Sequence, residues 1–254
     1  MKNGIIGIVG GMGPDAGIML SKNIVYNTIS EKDQDHLPLI LYSTPGEIPD
    51  RTEYLTGIVD TNPGISIARI LADLEKIGVT VAAIACNSAH APPIFDLIMS
   101  KLQDSKSNIK LLHIIRECGN FITNYYPEFN KVGILGTTGT YKTRQYDLLN
   151  DFGLKTVYFS EKEQNALHEL IYNPLNGVKS GTYKIPDRSM CILNDSMISL
   201  KSLGAEIILL GCTELSLIYT SRRFQNLPVI DSSLVIARAL INIHSPDKLK
   251  PLLL

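Results

Sequence analysis

The stretch "GIVGGMGP" at residues 7–14 is an apolar run that breaks into a glycine loop, and "GILGTTGT" at 133–140 writes the same pattern again. A second pair follows: "VAAIACNSAH" at 81–90 and "IILLGCTELS" at 207–216 are apolar runs that end on a cysteine. Gly7 stands 79 positions before Cys86, and Gly133 stands 79 positions before Cys212, so the two halves are displaced by 126 residues. One offset shared by two unlike motifs is the mark of a duplicated unit.

Working outward, apolar runs of strand length recur at 4–9, 38–42, 79–85, 110–115, 131–135, 154–159, 205–210 and 227–230. Most are continuous rather than alternating, as strands of a parallel sheet covered on both faces should be. Helical patterns lie between them: "AGIMLSKNIVYNTISEK" at 16–32, "ISIARILADLEKIG" at 65–78, "TYKTRQYDLLNDFG" at 140–153 and "CILNDSMISLKSLG" at 191–204. Gly78, Gly153 and Gly204 close three of these as helix C-terminal glycines do. The alternation predicts an α/β fold of two pseudo-symmetric lobes, each a mainly parallel sheet flanked by helices, with ligands at the carboxyl ends of the strands. Lobe changes are expected near 115 and 220. Residues 1–115 plus 221–254 would form the first lobe, the tail "LPVIDSSLVIARALINIH" adding a last strand and helix to it, and 116–220 the second. No low-complexity linker separates them, so the active site is expected in a cleft where the lobes meet.

Bulk properties narrow the function. A net charge of -1 with 19% charged and 44% hydrophobic residues provides no basic field for nucleic acid. No apolar run reaches the 18 or so residues of a membrane span, and the N-terminus reads as a buried first strand, not a targeting segment. The four cysteines, Cys86, Cys118, Cys191 and Cys212, contain no C-x-x-C pair. That pattern fits reduced thiols in a cytoplasm, and the five scattered histidines offer no zinc-ligand spacing.

"GMGPDA" at 11–16 satisfies a dinucleotide-binding fingerprint in form, but the next strand ends on Ser43 and Thr44, where an acidic residue should meet a ribose. The loop also reads as a tight turn with Pro14 at the first helical position, or as backbone N–H groups that hold a carboxylate. A free cysteine is ordinarily a small buried hydrophobe. Two of them at equivalent strand ends, each before a helix whose N-terminus would lower a thiol pKa, favour chemistry instead. If the lobes face one another across a pseudo-two-fold axis, two thiols flank one ligand, and a carbon between them can lose a proton from one face and gain one on the other. Such a pair needs one thiolate and one thiol, with roles that exchange when the other enantiomer binds. Neither metal nor cofactor is required. Cys118 and Cys191 lack repeat partners and read as structural; His90, four residues after Cys86, could orient the thiol or the ligand, but "AHAPP" more simply describes a helix entry. Arg51, in "EIPDRT", suits two-pronged capture of a carboxylate, and reads equally as a solvated loop residue. Lys179 in "NGVKSGT" carries the same two readings.

Taken together, "GIVGGMGPDA", "DQDHLPLILYSTPGEIPDRT", "ACNSAH", "GTTGT" and "LGCTEL", in this order across nearly the whole chain, resemble the aspartate/glutamate racemase family and its aspartate racemase branch. Glutamate racemases of cell-wall synthesis carry an Asp-Ser-Gly opening and Gly-Cys-Thr-His, where this chain has Gly10, Gly11, Met12 and Glu214. The resemblance implies a cofactor-independent, commonly dimeric enzyme with Cys86 and Cys212 as opposed acid and base. It further implies that Arg51 and Lys179 hold the substrate's side-chain carboxylate and that Asn87, Ser88 and Thr213 address its α-carboxylate and ammonium. Met12 and the Thr137–Thr138 loop would supply backbone donors. Ser88 stands where relatives often have threonine, which keeps a hydroxyl. The activity implied is racemisation of aspartate, with glutamate as a further substrate. Its rivals are a related isomerase acting on hydantoins or maleate, and a non-catalytic binder of acidic amino acids.

Overall fold

The computed structural model describes residues 4–180 and 187–252, and the chain divides into two compact units, Met1–Glu117 with Ser233–Leu254, and Cys118–Ser232. The first unit carries β1 (Ile5–Gly10), α1 (Pro14–Asn27), β2 (Leu39–Ser43), α2 (Arg51–Leu55), α3 (Gly64–Lys76), β3 (Val79–Ile84), α4 (Pro92–Asp104) and β4 (Lys110–Leu111). Helix α5 (Ile114–Tyr125) contains the first boundary. The second unit follows with β5 (Lys131–Leu135), α6 (Thr138–Thr143), β6 (Lys155–Val157), α7 (Glu161–Tyr172), α8 (Asp187–Ser202), β7 (Ile207–Leu210), α9 (Leu215–Ile218), β8 (Arg223–Phe224) and β9 (Leu227–Asp231). Helix α10 (Ser232–His244) then returns the chain to the first unit.

The first sheet has strand order β2-β1-β3-β4 and the second β6-β5-β7-β9-β8. All pairings are parallel except the β8–β9 hairpin. The α/β architecture of the sequence reading is therefore present in each unit. Strand β7 is apolar throughout, and β3 apart from the exposed Thr80, because helices cover them: Ile67, Ile70, Leu71 and Leu74 of α3 recur at helical spacing and join Ala82 and Ile84 of β3 in one core. In the second core Leu193, Met197 and Leu200 of α8 meet Ile208 and Leu210 of β7. Each such side chain, fully buried, stabilises the fold by roughly 1.5–3 kcal/mol.

The 126-residue displacement persists in atomic detail. Gly7 is registered with Ala82 and Val9 with Ile84; Gly133 is registered with Ile208 and Leu135 with Leu210. Beyond each strand the chain repeats one further bond, from the Ala85 N–H to Val9 O and from the Gly211 N–H to Leu135 O. The repeated strand glycines have one cause: a Cβ on Gly7 would strike Val79 and Leu74, and a Cβ on Gly133 would strike Ala205 and Leu200, the same two positions of the repeat. Glycine lets the covering helix lie close against the strand. Gly78 and Gly204, also one displacement apart, turn out of α3 and α8 with φ of 93° and 92°, the left-handed region glycine tolerates best. Gly153 adopts it as well, with φ 74°.

Three expectations change. The tail strand does not join the first lobe, and the division falls at Ser232 rather than near 220: β9 pairs with β7, Val229 beside Ile208 and Ile230 beside Leu209, and only α10 returns. An apolar strand completes its hydrogen bonds on the nearest open edge, and the preceding β8 hairpin folds β9 onto β7. The helix expected at 140–153 is broken by Arg144, whose φ of 51° divides α6 from a 3-10 turn at Gln145–Phe152. The strand expected at 110–115 shrinks to two residues because α5 begins at Ile114.

Candidate active site

In the first unit, β1 leaves the sheet at Gly10 and turns through Gly11, whose φ of 90° and close approach to Thr44 and Pro45 admit only glycine. Pro14 opens α1, as read from the sequence. Arg51 begins α2, which Asp50 caps by accepting from the Thr52 and Glu53 N–H groups at 2.7 and 2.9 Å. Its guanidinium is buried, at 6% exposure, and donates to Met12 O at 2.9 Å and Pro49 O at 3.2 Å. Arg51 is thus no solvated loop residue. It ties the glycine loop to α2, and Met12 enters this arrangement as a carbonyl acceptor.

Cys86 lies two residues past β3, a free thiol at 6% exposure, with Asn87 and Ser88 buried beside it. His90 donates from Nδ1 to the Cys86 carbonyl at 2.9 Å, which fixes its tautomer because a carbonyl only accepts. Burial lowers the His90 pKa to about 4, so the ring is neutral near pH 7. It packs against Phe95 and His113, ring centroids 5.2 and 4.9 Å away, and burial with its histidine neighbour lowers His113 to about 3. The loop bearing Cys86 is therefore clamped from beneath by an uncharged aromatic cluster.

In the second unit, Thr137 caps α6 by accepting from the Thr140 N–H at 3.3 Å. The Thr138 hydroxyl beside it is buried and meets no hydrogen-bond partner among the described residues. Gln164 donates to Gly136 O at 2.9 Å and fixes the start of this loop. Cys212, free and 4% exposed, lies two residues past β7. Its thiol donates to Glu214 Oε2 at 3.1 Å, and so does the Thr213 hydroxyl, also at 3.1 Å. The other carboxylate oxygen, Oε1, accepts from Lys179 Nζ at 2.5 Å, and that ammonium lies 5.3 Å from the centre of the Tyr172 ring.

The electrostatics of Cys212 differ from the sequence expectation. Burial, and then the Glu214 carboxylate, raise its pKa well above the ordinary thiol value, against the pull of Lys179. The helix that was to lower it, α9, has four residues. Burial alone would raise Glu214; the Lys179 ammonium and its hydrogen bonds override this and hold the carboxyl at about 2. At neutral pH the group is a thiol on a carboxylate on an ammonium. Sequence reasoning assigned no role to Glu214, and the only signal was its departure from the histidine of glutamate racemases.

Two free thiols thus stand at register-equivalent strand ends, each in a polar loop over an apolar core. The chain belongs to the Asp/Glu/hydantoin racemase family, which it matches over residues 9–240. It is similar in structure to the Picrophilus torridus aspartate racemase, with a TM-score of 0.79 and 29% identity over 97% of this chain and 96% of that one. An aspartate racemase homologue from Pyrococcus horikoshii shares the fold, at TM-score 0.69 and 23% identity over 95% of this chain and 99% of that one. The broad specificity amino-acid racemase RacX of Bacillus subtilis is 24% identical over 94% of this chain and 98% of its own length. Among the described residues, no helix is long and apolar enough to cross a membrane, and no group of three or more His, Cys, Asp or Glu side chains is arranged to hold a metal.

Proposed function

We propose that the protein racemises aspartate, with glutamate as a second substrate, by a cofactor-independent two-base mechanism in which Cys86 and Cys212 act on opposite faces of the α-carbon. The observation that carries this reading is the repeat itself: Cys86 and Cys212 are both free and buried at positions one displacement apart in two units of matching register. A thiolate removes the α-proton while the opposed thiol delivers another, and the configuration inverts. The α-proton of an amino acid is a very weak acid, so the developing carbanion needs fixed dipoles rather than mobile ones. The Met12 and Thr137–Thr138 loops provide them. Asn87, Ser88 and Thr213 address the α-carboxylate and ammonium, while Arg51 and Lys179 serve the side-chain carboxylate. The name of the Picrophilus torridus relative supports aspartate as substrate.

Incubation with L-aspartate in heavy water, without added cofactor, tests this directly. Loss of the α-proton signal in NMR together with decay of optical rotation is expected, and Cys86→Ala and Cys212→Ala are each expected to abolish racemisation. Binding of aspartate without exchange would identify an amino-acid binder instead, and turnover of maleate or a hydantoin in place of aspartate would identify a related isomerase.

A further inference from the structure

The two thiols are equivalent in the repeat but not in their surroundings. One displacement before Glu214 the chain has Ser88, so the carboxylate 3.1 Å from Cys212 has a hydroxyl residue as its counterpart near Cys86. Nothing in the duplicated architecture requires this difference. Glu214 is 4% exposed and would be costly to bury as an anion without Lys179 on its other oxygen. The side chain is oriented from both ends, by the ammonium on Oε1 and by the Cys212 and Thr213 donors on Oε2.

We infer that Glu214 is a positioning residue that retains the proton on Cys212, so that Cys212 enters the reaction as the acid. This rests on the two-base reading above. In the direction that starts from this state, the Cys86 thiolate takes the α-proton and becomes a thiol. The carbanion takes the proton from Cys212, which becomes the thiolate; one proton leaves the carbon, one arrives, and no electrons are exchanged. The new sulfur anion stands beside the Glu214 anion, and Lys179 is the cation that offsets both. In the opposite direction the proton must first leave Cys212 against the hold of Glu214. Among the described residues, the charged groups bearing on Cys212 are Glu214 from its own loop and Lys179 from the 3-10 turn Val178–Ser180, with the Tyr172 ring of α7 beneath the ammonium.

The test is alkylation of the full-length protein by iodoacetamide across pH, with modification of each cysteine followed by peptide mass spectrometry and the exposed Cys191 as internal reference. Glu214→Gln keeps the shape and removes the anion, so the alkylation midpoint of Cys212 should move to lower pH and its rate at pH 7 should rise by about tenfold for each unit of that movement. Lys179→Met should move the midpoint in the opposite direction, a sign that a general loosening of the fold does not produce. A Cys212 midpoint unmoved in Glu214→Gln, or moved to lower pH in both variants, would overturn the inference. The alkylation midpoints stand whether or not the protein turns over amino acids, so failure of racemisation sinks the two-base reading and leaves the role of Glu214 separately decided.

Discussion

Lys179→Met is the sharpest probe of the second site loop. The substitution keeps a side chain of similar length and removes the ammonium that lies 5.3 Å from the Tyr172 ring centre and donates to Glu214. Holding Glu214 at about 2 instead of the ordinary 4.5 is worth about 3 kcal/mol at neutral pH, from 1.36 kcal/mol for each unit. Because the folded-state value is the lower one, this stabilisation is complete above about pH 4.5 and is lost as the pH falls toward 2. The variant should therefore unfold about 3 kcal/mol more easily than the wild type at pH 7, equivalent to roughly 6–12 °C in Tm for a chain of this size. By pH 3 the difference should shrink to about 1 kcal/mol. Urea unfolding of both proteins at pH 7, 5 and 3 measures it. A difference below about 0.5 kcal/mol at pH 7, the level of an exposed ion pair, or one that widens on acidification, would refute the buried-pair argument.

Other outcomes follow from the same geometry. Gly133→Ala places a Cβ 2.9 Å from Ala205 Cβ and 3.1 Å from Leu200 Cβ, atoms that no rotamer change can move, and should cost about 1–3 kcal/mol. Gly46→Ala, with open space around the new atom, is the near-neutral control in the same thermal melts. His90, held near 4 by burial, binds its proton more weakly folded than unfolded, so stability should fall as the pH drops from 6.5 toward 4. His90→Phe should flatten that slope in chemical denaturation between pH 7 and 5, and an unchanged slope would place the protonation elsewhere.

The duplicated unit was legible because its determinants are local. Leu74, Gly78 and Cys86, like Leu200, Gly204 and Cys212, fall within one helix–turn–strand segment, and hydrophobic period and glycine punctuation record such segments directly. Less legible features depend on partners distant in sequence. Which sheet edge accepts β9 is decided by the open side of β7, about twenty residues upstream of it. Arg51 could not be told from a surface arginine until the Met12 carbonyl, 39 positions away, was seen to receive it. Glu214 and Lys179 are 35 positions apart with no periodic relation, and it is burial, and then the Glu214 carboxylate, that reverses the expected direction of the Cys212 pKa against the pull of Lys179. The break at Arg144 comes from a left-handed residue stacked over Tyr158, its guanidinium 4.1 Å from the ring centre, a tertiary contact that overrides helix propensity.

The most direct test of opposed thiols is where deuterium first appears when L-aspartate is racemised in heavy water. Two bases on opposite faces deliver solvent deuterium to the D-product, while the L-aspartate still present at early times keeps its α-proton. Deuterium entering the remaining L-aspartate as fast as the D-product would mean that a single base handles both faces, and would contradict the account.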